Sequence, residues 1–529
     1  MKIISDESRR LTPAIIWLGC VLILAVTLRI VAWIHTPLVT PDGSLYIFQA
    51  KAIFYDQWAA LAGCAGSQAL SPYPFLIAAV YNFCPDWIIA ARAINFTFGV
   101  AAIIPLHLLL MRFFDYRISA VTVLFVAVSP HFVGASVDVL KDPGAWFFAS
   151  LAFYFFLSGI EDDRKPLILF SGICFFLSIW ARVETLVLAL VSLGYLIWKS
   201  RSAWKIFLFT LPFLVALALA TVLAMTGFLN SSGADLSRVD EVLGELRNLQ
   251  SKYVALETEL KNMEAGIDGQ AHQALKLFIP EARQAMWLVA LGILMNKVFE
   301  SFLYVFALPF LLGFAQIKRI KNDPRLIYFF LLAMFSLLTL YLFVLKEWVL
   351  EYRYVAIFTL SALVFAGVGL EAMVYRFKTR YSVKETLTII ILAVILVFSM
   401  LPKNLKPRDA DKVVFKEIGE FIVQHEGSNQ REIKVSGAIR NQRWVSLYAN
   451  LNYKGAVCPE ATDRNCWEMF AHQDNLIGKL KQRDIKYFLW TEKTWSAKEI
   501  DVAKYSRSLK ILHVWEHPDT GKMILYEVI

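Results

Sequence analysis

Long apolar runs separated by short charged breaks dominate the chain. A bilayer core needs roughly 20 apolar residues per helical crossing. On that measure eleven spans are expected, near 13–34, 88–111, 118–135, 143–160, 167–181, 184–198, 204–227, 296–316, 325–345, 353–375 and 385–402. Residues 167–198 are too few for two full crossings of a ~30 Å core at ~1.5 Å per residue. One long helix would separate the basic ends Arg164-Lys165 and Lys199-Arg201 onto opposite sides. A short hairpin is therefore expected, with its turn at Arg182-Val183-Glu184 sunk below the membrane surface.

Alternate connections are short and basic. They hold Arg112 and Arg117, Arg164 and Lys165, Lys199, Arg201 and Lys205, then Lys318, Arg319, Lys321 and Arg325, and finally Arg376, Lys378, Arg380 and Lys384. Lys2, Arg9 and Arg10 precede the first span. Positive residues concentrate on the cytoplasmic side of membrane proteins, so these segments are expected there. An odd number of spans then sends the tail outside. The first span is long enough to stay in the membrane and no small-residue cleavage site follows it, so an anchor is expected and not a removed signal.

The division expected is a membrane domain at 1–402, with outer loops 35–87 and 228–290, and a soluble domain at 403–529. In the longer loop, Val239, Leu243, Leu246, Tyr253, Leu256, Leu260, Met263 and Ile267 follow a helical 3-4 repeat interrupted by Gln250. An outward hairpin or a helix packed on the body is expected there, with self-association as the alternative. The tail mixes helical patterns at about 411–425 and 465–482 with β-like runs at Glu432–Val435, Tyr487–Trp490, Leu509–Val514 and Met523–Val528. That predicts a small α/β domain. It carries no glycine-rich phosphate loop, so a nucleotide-driven engine is unsupported.

Composition narrows the class. The 529 residues are 57% hydrophobic and 18% charged, with 40 Phe, more apolar surface than a soluble core can bury. The net charge of +9 then reports topology and not affinity for nucleic acid. Of six cysteines, Cys20 and Cys174 fall in spans, Cys64 and Cys84 in the first outer loop, and Cys458 and Cys466 in the tail. The two close pairs lie on the side expected to be oxidising, which predicts bridges Cys64–Cys84 and Cys458–Cys466. No Cys/His grouping has zinc spacing.

Polar residues at span borders collect on the outer side. The first loop supplies Asp42, Tyr46 and Lys51; the second supplies Asp138, Lys141 and Asp142; the hairpin supplies Arg182 and Glu184; the approach to the tenth span supplies Arg353 and Tyr354. An intramembrane charge is costly unless it is paired or functional. Carboxylates facing Arg and Lys at a membrane surface suit a reaction on an anionic lipid with a proton to remove. A purely structural scaffold would not need them.

These residues resemble the polytopic glycosyltransferases of the GT-C fold, in the bacterial branch related to protein mannosyltransferases and aminoarabinose transferases. Asp42-Gly-Ser-Leu-Tyr46 is similar to that family's first acidic motif. Ser71-Pro-Tyr-Pro-Phe75 and Ala91-Arg-Ala-Ile-Asn95 resemble its loop helices, Asp142-Pro143 its second acidic position, and Arg353-Tyr354 its Arg-Tyr pair. Asp138 competes with Asp142 for the second acidic role; Asp142 is preferred because it opens a span. The resemblance implies sugar transfer from a polyprenyl-phosphate donor to a glycolipid (lipid A included), a glycan or a protein, outside the bacterial inner membrane and with inversion. On that chemistry Asp42, Asp142 and Asp138 are expected in catalysis and Arg353, Lys141, Tyr354 and Arg182 at the donor phosphate, with Glu184, Tyr46 and Lys51 in support. No cofactor is called for, and a divalent cation bridging the acidic loops is left open. The rival expectation is a transporter or flippase for a lipid-linked or anionic solute, against which the chain has no internal repeat of spans.

Overall fold

A computed structural model describes residues 2–64, 71–225, 251–265, 273–427, 431–459, 476–493 and 505–529. The chain is a helical membrane bundle carrying a small mixed domain at its C-terminal end. Among the described residues, eight helices are long and apolar enough to cross a membrane, or ten if each of two bent pairs counts as one span. The protein is a multi-pass membrane protein. The difference from the eleven expected spans has local causes. Lys165–Ala181 is apolar but has only 17 residues. The expected span 296–316 is two helices, Met286–Ser301 and Ala307–Phe314. Between them Leu303 and Tyr304 turn left-handed, at φ 50° and 58°.

Lys165–Ala181 and Leu186–Ser200 form the expected hairpin, turned by the short helix Val183–Thr185. A second irregularity bends Tyr116–Val128 against Pro130–Val137 by 55°. Pro130 opens the second piece, and a proline cannot donate to the preceding turn. The first span buries Arg29 completely, with its guanidinium held by the carbonyls of Ala25, Ala127 and Gly99 at 3.0–3.4 Å. Its cost in the membrane is met by backbone oxygen.

The basic connections meet at one end of the bundle. Arg112 grips Asp162 through two 2.9 Å bonds, and Arg325 Nη1 donates to the Arg112 carbonyl at 2.6 Å. Lys205 pairs with Asp163, Arg117 reaches Thr386, and Lys378 pairs with Glu385. The loops holding Asp42, Asp142, Arg182 and Arg353 gather at the other end, beside the tail.

The tail holds a four-stranded sheet in the order β1-β2-β4-β3, with β1 Val435–Ser436, β2 Tyr487–Thr491, β3 Leu509–His517 and β4 Gly521–Val528. β1 and β2 are parallel and the other pairs antiparallel. Helix Val413–Glu426 covers one face, burying Phe415, Ile418 and Ile422. Helix Ile439–Ala449, absent from the sequence expectation, packs beside it. The expected helix at 465–482 is described only for Leu476–Gln482. In the longer outer loop, helix Ser251–Ala265 lies against the body: Tyr253 stacks on Trp348 at 6.1 Å and Lys252 pairs with Glu347. Val239, Leu243, Leu246 and Ile267 lie outside the described residues.

The cysteine pairing expected from sequence is overturned. Cys64 bonds Cys458, 394 residues away, and Cys84 is free. Cys466 lies outside the described residues. The bridge joins the first loop to the tail, and other contacts run alongside it. Lys51 Nζ donates to the Asn450 carbonyl at 2.8 Å. Ala456 N donates to Gln57 Oε1 at 2.8 Å, and Trp444 Nε1 to the Val39 carbonyl at 2.7 Å. Removing such a bridge costs roughly 2–4 kcal/mol. Non-reducing peptide mass spectrometry should therefore find a Cys64–Cys458 cross-linked peptide, and Cys64→Ser should lower Tm. Linkage of Cys64 to Cys84 would overturn the pairing.

Candidate active site

The first loop turns into helix Pro41–Phe54 at Thr40, whose hydroxyl accepts from Gly43 N at 3.2 Å. Asp42 falls in the first turn, where the helix dipole favours negative charge. Gly43 is required by close approach: a Cβ there would stand 2.8 Å from Val139 Cβ. That contact presses the first loop onto the second. Asp138 Oδ1 completes the joint by accepting from Thr40 N at 3.0 Å and Val139 N at 2.7 Å. Burial raises the Asp138 carboxyl above the usual aspartate value, against the pull of those backbone donors and of Arg92. Asp138 thus holds the turn that carries Asp42.

Asp42 itself is met by two arginines. Arg353 Nη1 donates to Oδ2 at 2.7 Å, and Arg443 Nη1 to Oδ1 at 3.4 Å. Burial alone would raise this carboxyl; the guanidiniums of Arg353, Arg443 and Arg182 outweigh it and hold it below the usual value. Arg353 opens helix Tyr352–Tyr381 and also pairs through Nε with Glu351 at 2.6 Å. Arg443 comes from the tail, on helix Ile439–Ala449, and the sequence reading missed it. A hint in the sequence was the spacing of Trp444, Val445 and Tyr448 just after it, short and easily taken for a loop.

Asp142 begins helix Asp142–Glu161 and is fully buried. Its Oδ1 accepts from Arg182 Nη1, while Oδ2 is buried with no hydrogen-bond partner. Arg182 is 3% exposed and also donates to Glu184 at 3.1 and 3.3 Å. The Tyr354 ring lies under both guanidiniums, 4.7 Å from Arg182 and 5.4 Å from Arg353, so the two cations share one aromatic floor. Tyr46 stands edge-on to Tyr73 at 5.6 Å. Burial, then the charges of Asp42 and Asp142, push its phenol well above the ordinary value. Lys141 directly precedes Asp142 and acts on Glu184.

Asp42, Asp142, Arg182, Glu184, Arg353, Tyr354 and Tyr46 are therefore brought together. Lys51 is not: it faces the tail's backbone, and burial pulls its ammonium down to about 8. A cavity of about 520 Å³ opens beside Asp42, walled by Glu351 and Arg353 on the membrane side and by Arg443, Trp444 and Lys493 on the tail. Among the described residues no three His, Cys, Asp or Glu side chains converge as metal ligands, and arginines meet Asp42 and Asp142.

Residues 72–226 match the family model described as dolichyl-phosphate-mannose-protein mannosyltransferase, a stretch that includes Asp138, Asp142, Arg182 and Glu184. Comparison with curated proteins gives no match. Among solved structures, ArnT from Cupriavidus metallidurans bound to undecaprenyl phosphate aligns over 97% of this chain and 98% of its own, at TM-score 0.56 and 12% identity. The protein has a GT-C fold. Two structures of the oligosaccharyltransferase from Archaeoglobus fulgidus agree with that. AglB with an inhibitory peptide and a dolichol-phosphate matches at TM-score 0.52 and 11% identity, covering 96% of this chain and 74% of that one. A complex with Zn and sulfate matches at TM-score 0.54 and 11% identity, over 96% and 72%. In this chain of GT-C fold the tail reaches Asp42 directly, through Arg443.

Proposed function

We propose that this protein transfers a hexosyl or pentosyl group from a polyprenyl-phosphate carrier to an acceptor, with inversion, on the outer face of a bacterial inner membrane. The acceptor classes that fit are lipid A, another glycolipid, a glycan or a protein. The observation that carries the reading is Asp42, an ionised carboxylate held between Arg353 of the membrane body and Arg443 of the tail beside a cavity open to both. The likeness to ArnT bound to undecaprenyl phosphate supports the carrier class. Two observations support the outer side. Basic loops occupy the opposite end of the bundle, and the Cys64–Cys458 bridge at the site end suits an oxidising compartment.

In this reading the acceptor's hydroxyl or amine attacks the anomeric carbon from the face opposite the phosphate. The new bond to the acceptor forms as the sugar–phosphate C–O bond breaks, and the electron pair goes to the phosphate. The sugar passes through an oxocarbenium-like state. Asp42 takes the acceptor's proton, and Arg353 meets the growing phosphate charge. When Arg353 turns to the phosphate, Asp42 loses one of its two cations and becomes a stronger base.

A radiolabelled polyprenyl-phosphate sugar incubated with the purified protein and membranes should lose its sugar to an acceptor. A label that crosses the bilayer still attached to its carrier would establish the flippase reading instead. Arg353→Ala should weaken donor binding by about 10-fold or more, the order of one charge-assisted hydrogen bond. Arg353→Lys should recover only part, because an ammonium cannot copy the planar fork. Unchanged donor affinity in the Ala variant would move the phosphate role to Lys141 or Arg182.

A further inference from the structure

Asp42 lies in the first turn of its helix, so its place depends on the stretch that leads into that turn. Between the first span, which ends at Ile34, and Pro41 the chain is irregular. Its backbone is gripped there by groups from distant segments. Arg408 N donates to the His35 carbonyl at 3.1 Å. Arg92 Nη2 donates to the Leu38 carbonyl at 2.6 Å. Trp444 Nε1 donates to the Val39 carbonyl at 2.7 Å, and Asp138 Oδ1 accepts from Thr40 N at 3.0 Å.

The last two grips fall on one chemical unit. The Val39 carbonyl and the Thr40 N–H belong to the same planar peptide, which is trans, so they point in opposite directions. The tail holds that plane at one edge and the second loop holds it at the other. Thr40 passes the orientation on: its hydroxyl donates to the Val139 carbonyl at 3.2 Å and accepts from Gly43 N at 3.2 Å. Pro41 follows, with its φ locked by the ring, and Asp42 comes next.

Trp444 is built for this task. An indole N–H can only donate, the residue is 5% exposed, and its ring stacks on Phe415 at 5.5 Å and 13°. Its neighbour on helix Ile439–Ala449 is Arg443, which donates to Asp42 Oδ1 at 3.4 Å. One turn of a tail helix therefore meets both the carboxylate and the backbone that carries it.

We propose that Trp444 is a positioning residue for Asp42, setting the pose of the base through the Val39 carbonyl while Arg443 sets the charge that faces it. The inference rests on the proposed sugar transfer. Proton removal and attack on the anomeric carbon need the carboxylate at hydrogen-bond reach of the acceptor. A shift of about 1 Å from a change away from the chemistry can cost about 10²-fold. With Trp444 Nε1 removed, the peptide is held at only one edge, and Asp42 is free to drift with it.

The test uses the full-length protein in detergent with a polyprenyl-phosphate sugar and acceptor membranes. Trp444→Phe removes the donor and keeps a ring to stack on Phe415. It should lower kcat by about 10-fold or more, on the scale of such a misplacement. Donor affinity should stay within about 2-fold, since the loss lies in the reacting step and not in binding. The deciding readout is the same substitution made on Asp42→Asn. A group that acts through Asp42 has no base left to position there, so residual turnover should fall by less than about 2-fold further. An indole analogue of Trp444 with sulfur in place of the N–H repeats the deletion at full ring size. A Cys64–Cys458 cross-linked peptide in each variant reports that the tail is seated. Unchanged kcat in both Trp444 variants, or an equal loss with and without Asp42, would overturn the inference and leave the transferase reading standing. Near-normal turnover in Asp42→Asn alone would overturn the base assignment and the inference with it.

Discussion

Asp42→Asn is expected to lower turnover by about 10²-fold or more, the usual contribution of a positioned general base, while donor binding persists. The amide keeps the shape and one hydrogen-bond acceptor for Arg353 or Arg443 but cannot take a proton. A carboxylate with only a structural role between two arginines predicts near-normal turnover in the same variant, and that result would falsify the assignment. The pH profile gives an independent check. Because Arg353, Arg443 and Arg182 hold the Asp42 carboxyl below its ordinary value of 3.8, the group stays charged as pH falls through that value. Any acid limb of kcat/KM due to Asp42 must lie lower still. Arg443→Gln removes one of the cations, so it should move that limb upward. A limb that stays fixed would show that Arg443 does not act on Asp42. Asp142→Asn should also impair turnover, and Asp138→Asn less, since Asp138 Oδ1 is spent on backbone amides.

The largest effect on stability is expected from Arg182→Ala. Breaking a buried pair by removing one partner costs about 3–5 kcal/mol, because the other charge is left uncompensated. Arg182 and Asp142 have side chains only 4% and 1% exposed, and Asp142 has no second cation bonded to it among the described residues. Thermal unfolding in detergent should show the loss as a lowered Tm. Arg182→Met combined with Asp142→Leu should recover part of it, since apolar replacements of similar size remove both fully buried charges together and leave only the part-exposed Glu184 without its cation. Activity should stay low in the double variant, because Arg182 also shares the Tyr354 ring with Arg353. A single variant as stable as the native protein would mean that the pair does not hold the hairpin turn in place.

Much of this was legible in the sequence for physical reasons. An apolar run of membrane length has few alternatives, so most spans and the hairpin at 167–198 could be read directly. Charges at span borders are costly, so Asp42, Asp142, Arg182 and Arg353 were conspicuous one by one. What failed was pairing over long distances. Arg443 and Asp42 are 401 residues apart, and nothing local to either announces the other. The cations that meet Asp42, Arg353 and Arg443, both come from segments more than 300 residues away. The cysteines failed in the same way: four residues allow three connectivities, and closeness in sequence chose the wrong one. Lys51 looked like a site cation because it follows Asp42, yet helix Pro41–Phe54 carries it away to Asn450. The break at Leu303 and Tyr304 was hidden because both residues are apolar and the run continues through them.

The Cys64–Cys458 bridge also limits how such a protein can be taken apart. The tail is not a detachable module with a partner loop of convenience. It is fastened to helices Pro41–Phe54 and Trp58–Gly63 by a covalent bond, by Lys51 on the Asn450 carbonyl and by Trp444 on the Val39 carbonyl. A chimaera that grafts a different tail after the last span would strand Asp42 without Arg443 and Cys64 without its mate. The piece that can be exchanged between relatives is loop 35–87 together with 403–529, two stretches distant in sequence that must be inherited as one.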